Sequence, residues 1–199
     1  MNTFRPKSLA SAFILLLGSS MAPARGEALQ TVPKTIHSYA FGDRTYTCLV
    51  IDGGVVPLIV PPGATVSADD AVKVTWSRDG AVALFRPASP AEAALVDLMD
   101  KPDGADAWKK QIVSTLRGSG YKYTLHDLQP DILGVNHWHI GAISMDYSLV
   151  GLKSSSLLMV WRCRDGKTLT VTLQGGTDTF KTHCDELNSM IGGAMLMAR

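Results

Sequence analysis

The chain has no apolar run near the roughly 18 residues that a lasting membrane-spanning helix needs. The charge-free stretch from Leu9 to Leu17 is far too short, and no second run follows. Cysteine is scarce. Cys48, Cys163 and Cys184 allow at most one intramolecular disulfide, with three connectivities open. No Cys-x-x-Cys spacing occurs, so a thioredoxin-like redox role has no support. Charge of either sign is also missing in excess, with 19 Lys and Arg against 18 Asp and Glu. That balance argues against a general nucleic-acid binder, which needs a basic face. There is no Gly-x-Ser-x-Gly nucleophile turn. Gly53-Gly54, Gly175-Gly176 and Gly192-Gly193 lack the spacing ahead of a helix that phosphate-cradling loops require.

What is present begins with a segment resembling a secretory signal peptide over residues 1–24. Arg5 and Lys7 precede the apolar stretch, and Ala22-Pro23-Ala24 supplies the small residues read at cleavage. Removal of that segment takes away two positive charges, leaving 17 Lys and Arg against 18 acids, a net charge of −1. The expectation is an exported chain, periplasmic or secreted, with no transmembrane segment after processing. Residues 25–35 carry no periodic pattern and read as an extended lead-in, and 36–199 as a single domain large enough to bury its own core.

The clearest fold signal lies in the last forty residues. Leu157 to Gln174 reads as a hairpin turning at Asp165-Gly166, with a two-residue primed turn that sets Val160 opposite Val171 and Arg162 opposite Leu169. Leu169, Val171 and Leu173 alternate with Thr168, Thr170 and Thr172. Phe180, Cys184, Leu187 and Ile191 then repeat at helical spacing, a stripe suited to cover that apolar face. On the opposite face this register places Leu157, Met159 and Trp161.

Upstream, the pattern predicts strands over 36–41, 44–51 and 55–60, with Pro57 demoting the last to an edge. A further hairpin is predicted around Asp79-Gly80, with Val72, Val74 and Trp76 on one face. Ser89-Pro90-Ala91-Glu92 is a helix start carrying a capping box. Asp103 is the expected N-cap of a second helix with Trp108, Ile112 and Leu116 on one side, and Gly118 closes it. Tyr121 to Leu128 reads as a strand, 129–136 as a loop, and His137 to Val150 as a long strand. Strands, two helices, more strands and a closing helix predict an α+β domain: a mainly antiparallel sheet with helices on both faces, an α/β/α sandwich closed by a C-terminal amphipathic helix.

Three features together resemble the PsbP-like family and its relative DcrB. They are an apolar strand ending in Pro-Pro-Gly (Ile59 to Gly63), helices before a tyrosine-rich strand (Trp108 to Tyr123), and three antiparallel strands with a closing helix (His139 to Met195). The resemblance spans most of the mature chain and rests on element order. It implies an α/β/α sandwich and a non-enzymatic accessory or binding role, and it transfers no functional residue, because no matching motif is present.

Two sets of residues carry candidate chemistry. His137 and His139 share one face of a strand, and the loop before them can bring His126 opposite, a set of imidazoles suited to zinc or copper. Against this, a His-x-His pair is common on strand surfaces. Trp108, Tyr121, Tyr123, Trp138 and Trp161 form the second set, able to line a groove for a peptide or small ligand, with core packing as the ordinary alternative. His183 and Cys184 are adjacent on a helix and diverge by about 100°, so they are not a nucleophilic dyad. The leading expectation is a non-catalytic accessory or binding protein of the cell envelope, with an envelope protein or small ligand as partner. The alternative is a metal-binding protein or metal-dependent enzyme centred on the histidines.

Overall fold

The structure, a computed structural model, describes residues 29–38, 42–51, 54–68, 71–99, 101–117, 122–126, 129–133, 139–149, 151–163 and 166–197. The signal-peptide segment lies outside them. The described residues form two antiparallel sheets. The smaller joins β1 (Thr31–Ser38), β2 (Gly42–Ile51) and β3 (Gly54–Pro57) in that order. The larger contains β4 (Ala64–Ala68), β5 (Val72–Trp76), β6 (Val82–Pro87), β7 (Lys122–Leu125), β8 (Gln129–Leu133), β9 (His139–Leu149), β10 (Leu152–Arg162) and β11 (Thr168–Gly175). Its order is β4-β5-β6-β11-β10-β9, and β7 and β8 both pair with the outer edge of β9 at different heights.

Helices cover both faces of the large sheet, as the order of elements predicts. On one side α1 (Pro90–Met99) and α2 (Gly104–Leu116) bury Leu95, Val96, Trp108 and Ile112 against Ile143, Met145, Tyr147, Leu158 and Val160. On the other, α3 (Phe180–Met197) buries Leu187 and Met190 with Trp76, Phe85, Met159, Trp161, Val171 and Leu173. Leu49, Val56 and Leu58 of the small sheet and its flank complete that second core. At the start of α1 the capping box forms as expected: Glu92 N–H donates to Ser89 Oγ at 3.3 Å, and Ser89 N–H donates to Glu92 Oε2 at 2.8 Å. Asp103 precedes α2 without a side-chain cap bond.

The terminal hairpin differs from expectation by one residue. Trp161 stands opposite Leu169, Met159 opposite Val171 and Val160 opposite Thr170. Residues 164 and 165 lie outside the described residues, and the loop is flanked by Cys163 and Lys167. Gly166 N–H donates to Cys163 O at 3.0 Å, Cys163 N–H donates to Lys167 O at 2.8 Å, and Gly166 has φ +83°. This is the turn-plus-bulge hairpin, in which a glycine in the left-handed region closes a three-residue loop. Because side chains alternate, a slip of one residue exchanges faces. Leu157, Met159 and Trp161 therefore join Leu169, Val171 and Leu173 under α3, while Leu158 and Val160 face α1 and α2.

Three strand boundaries also shift. Pairing of β1 with β2 begins at Thr31, inside the expected lead-in. β4 forms directly after Pro61-Pro62-Gly63, where Gly63 (φ +78°) lies in a turn closed by Ala64 N–H to Pro61 O, and it pairs with β5. Residues 129–133, expected as loop, pair with β9 across a register irregularity.

Candidate functional site

Where α3 meets the β5–β6 turn, three polar side chains converge on one buried imidazole. His183 has no exposed side-chain surface and packs beside the Trp76 ring at 4.8 Å between centroids. Its Nε2 lies 2.7 Å from Asp79 Oδ2; its Nδ1 lies 3.0 Å from Arg78 Nη2 and 3.3 Å from Glu186 Oε2. Arg78 in turn donates to both oxygens of Glu186, at 3.2 and 3.0 Å. The local sequence builds this directly. Residues 183, 187 and 190 share one face of α3, and Asp79 fixes its own turn by accepting the Ala81 N–H at 3.2 Å. Gly175 makes room: a Cβ there would stand 3.2 Å from Ala81 Cβ and 3.6 Å from His183 Cδ2. Burial acts to raise the Asp79 pKa. Hydrogen bonds from His183, Thr179 and Ala81 outweigh it and hold the carboxyl at about 2. The sequence signal for this cluster is the 183-187-190 spacing together with charged residues at a hairpin turn.

A second polar chain crosses the same sheet face. His126 Nε2 lies 2.8 Å from Asp146 Oδ2, and Ser155 Oγ donates to Asp146 Oδ1 at 2.5 Å while lying 3.2 Å from Thr177 Oγ1. The Ser155 bond is the main reason that the Asp146 carboxyl sits below its ordinary range, with His126 adding to it. Ser155 is buried, whereas His126 and Asp146 are 47% and 43% exposed. The carboxylate sits between the hydroxyl and the imidazole, so this is not a serine–histidine nucleophilic pair.

Of the expected metal ligands, His126 is held by Asp146 at the end of β7. His137 lies outside the described residues. His139 begins β9, opposite Leu133 and Arg162. The backbone N–H of His126 donates to Ser144 O, five positions along β9 from His139. At about 3.3 Å per residue those two backbones are roughly 16 Å apart. Among the described residues, no three His, Cys, Asp or Glu side chains cluster as a metal site would require. Of the aromatic set, Tyr121 and Trp138 lie outside the described residues. Trp108 and Trp161 are buried in different cores on opposite faces of the sheet, and Tyr123 packs at the edge of the Trp108 cluster. The hairpin register separates them, so Trp108 and Trp161 do not line one groove.

The β1–β2 arm is built differently from the rest. Val32, Pro33, Lys34 and Thr35 are exposed in succession, as are Gly42, Asp43, Arg44 and Thr45 of β2. Since successive strand residues alternate faces, both faces of the arm reach solvent. Among the described side chains of the arm, Cys48 and Leu49 at its base are the buried ones. Val50 N–H donates to Gln30 O at 2.9 Å, which fixes the alternation of the ladder. By that alternation Thr31, Thr35 and His37 present their backbone N–H and C=O groups, and Pro33 its C=O alone, to the outer edge, where no described strand pairs.

No disulfide joins Cys48, Cys163 and Cys184. Among the described residues, no helix is long and apolar enough to cross a membrane.

No protein-family model and no curated protein matches the sequence. Several solved structures are similar to it at low identity. One is a protein of unknown function, a putative regulator, from Pseudomonas aeruginosa, with 10% identity over 80% of this chain and 94% of that one, at a TM-score of 0.43. LpqN of Mycobacterium tuberculosis, described as involved in cell envelope biogenesis, is 11% identical over 81% of this chain and 88% of its own, at 0.42. The PsbP protein of the cyanobacterium Synechocystis is 15% identical over 87% and 95%, at 0.39.

Proposed function

We propose that this chain is an exported accessory protein that binds a partner in the cell envelope without catalysing a reaction, and that the β1–β2 arm makes the contact. The observation that carries this reading is the arm itself: two paired strands with side chains exposed on both faces and an outer edge to which no described strand is added. Backbone edges of this kind accept an added strand, with alternate side chains supplying selectivity. A non-catalytic role fits the His183 cluster, where protein groups occupy both ring nitrogens. Export rests on the basic start, apolar stretch and Ala22-Pro23-Ala24 of the leader.

The test is in-cell photo-crosslinking from a reactive residue placed at Thr35, with Lys110 on the exposed side of α2 as the control position. A discrete adduct from position 35 alone supports the arm as the binding surface, and adducts from neither position sink it. The mass of the purified mature chain shows independently whether cleavage follows Ala24.

A second reading, a zinc- or copper-binding protein, is favoured by one observation: Asp146 holds His126 in the carboxylate–imidazole arrangement that orients metal ligands. Here His126 Nδ1 would be the ligand atom, and His137, which lies outside the described residues, the remaining candidate. About one equivalent of metal in the purified protein, lost on His126→Ala, would establish this reading. Equal metal content in both proteins would remove it.

A further inference from the structure

Arg78 and Glu186 both approach Nδ1 of His183, and they place opposite demands on it. A guanidinium carries only donors. With Arg78 Nη2 at 3.0 Å, Nδ1 must present its lone pair, so the ring proton sits on Nε2 and is donated to Asp79 Oδ2 at 2.7 Å. In that neutral form Glu186 Oε2, 3.3 Å from Nδ1, is an acceptor facing an acceptor, and its two bonds from Arg78 keep it there. A proton added to Nδ1 inverts this. Arg78 then faces a donor of like charge, while Glu186 gains a charge-assisted hydrogen bond.

We propose that His183 is a proton-operated latch between α3 and the β5–β6 turn, with Arg78 as its partner when neutral and Glu186 when protonated. This goes beyond the binding role and does not depend on it. Proton uptake moves the ring's contact from the turn, which contributes Arg78, to α3 itself, which contributes Glu186. Arg78 then loses its acceptor on the ring and keeps its two bonds to Glu186, while the bond from Nε2 to Asp79 becomes an ion pair and is the ring's remaining tie to the turn. Among the described residues, the groups that face the ring are Arg78 and Asp79 from the turn, Glu186 from its own helix, and the uncharged Trp76 of β5 and Gly175 of β11. Lys181 and Asp185 pair with each other on the exposed side of α3. Imidazole is the side chain whose ordinary titration falls in the range an exported protein meets. The latch therefore links ambient pH to the firmness with which the last helix grips the sheet.

The test is nitrogen NMR of the histidine-labelled mature chain across pH 4 to 8, on wild type, Arg78→Met and Glu186→Gln. The expected result at pH 8 is a bare Nδ1 and a protonated Nε2 in the wild-type ring. Removal of Arg78 should favour the proton on Nδ1 and removal of the Glu186 charge should disfavour it, so the two variants should move the Nδ1 signal in opposite directions along the pH series. A proton found on Nδ1 at pH 8 would overturn the proposal. So would uptake at one pH in all the proteins that fold, and Glu186→Gln alone suffices for that comparison if Arg78→Met fails to fold.

Discussion

Arg86 grips Glu92 with both terminal nitrogens, at 2.7 and 2.5 Å, and so joins the end of β6 to the first turn of α1. Glu92 is 7% exposed and also accepts from the backbone and hydroxyl of Ser89. Its burial opposes ionisation, but the guanidinium and the cap together keep the carboxyl below its ordinary range. Truncation of one member of such a pair strands the other's charge. Glu92→Ala should therefore cost about 3 kcal/mol in urea unfolding, and the Arg86→Met/Glu92→Ala double variant should recover part of that loss. A cost under about 0.5 kcal/mol would show that the cap and ion pair are incidental.

Acid should weaken the grip of α3 on the β5–β6 turn through Asp79. Its carboxyl is held at about 2 in the fold against an ordinary value of 3.8. A depressed carboxylate contributes stability that is fully present above the ordinary value and is lost as pH falls through the folded one. Denaturation midpoints measured between pH 6 and 2 should drop below about pH 4. In Asp79→Asn that part of the slope should be smaller, from a lower starting stability. Parallel profiles would contradict this assignment.

Gly166 closes the β10–β11 loop at φ +83°, where an L side chain is strained, and nothing lies within 4 Å of the space a Cβ would fill. Gly166→Ala should thus cost about 1 kcal/mol from backbone strain alone. Gly175→Ala has a different origin of cost, since its Cβ would meet Ala81 at 3.2 Å and crowd His183. The two can be told apart because only the second should disturb the His183 ring resonances.

The cysteines should be slow to modify in the folded chain. Burial pushes the Cys184 thiol up to about 11, with Asp185 adding to the shift. At pH 8 about one thiol in a thousand is then ionised, and the thiolate is the reacting form. Alkylation at pH 8 should proceed at least tenfold faster in 6 M urea than in buffer. Equal rates would mean that this part of α3 opens readily.

Much of the fold was legible in the sequence because its periodicities are strong and local. The alternation of Val72, Val74 and Trp76, the Ser89–Glu92 cap and the C-terminal stripe each declare an element without reference to the rest. What failed was register. Asp165-Gly166 fits both a two-residue and a three-residue loop, and the choice turns on which residue takes the left-handed conformation, a matter of one peptide. That single residue decided whether Trp161 faced α1 and α2 or α3, and with it the composition of the supposed aromatic groove. Residues 129–133 were missed because Pro130 and Asp131 are poor strand formers. They pair only because β9 offers an edge. The His183 cluster was hidden for another reason: the 183-187-190 spacing marks a helix face, but Arg78 and Asp79 read as ordinary turn residues, and nothing in a linear sequence pairs them with a helix residue 104 positions on.

The order of the large sheet has a consequence for how the chain can be assembled. β11, the last strand made, lies at its centre, between β6 and β10. Until residues 168–175 are available, the sheet exists only as two unjoined halves. One is the β4–β6 meander, the other the β9–β10 pair, and each presents an open edge where β11 will sit. Contacts of such long sequence separation form slowly. A nascent or truncated chain ending before Thr168 therefore stays unclosed, easily held in an extended state and just as easily lost to aggregation. Arrival of the final eight-residue strand is what turns two fragments into one body.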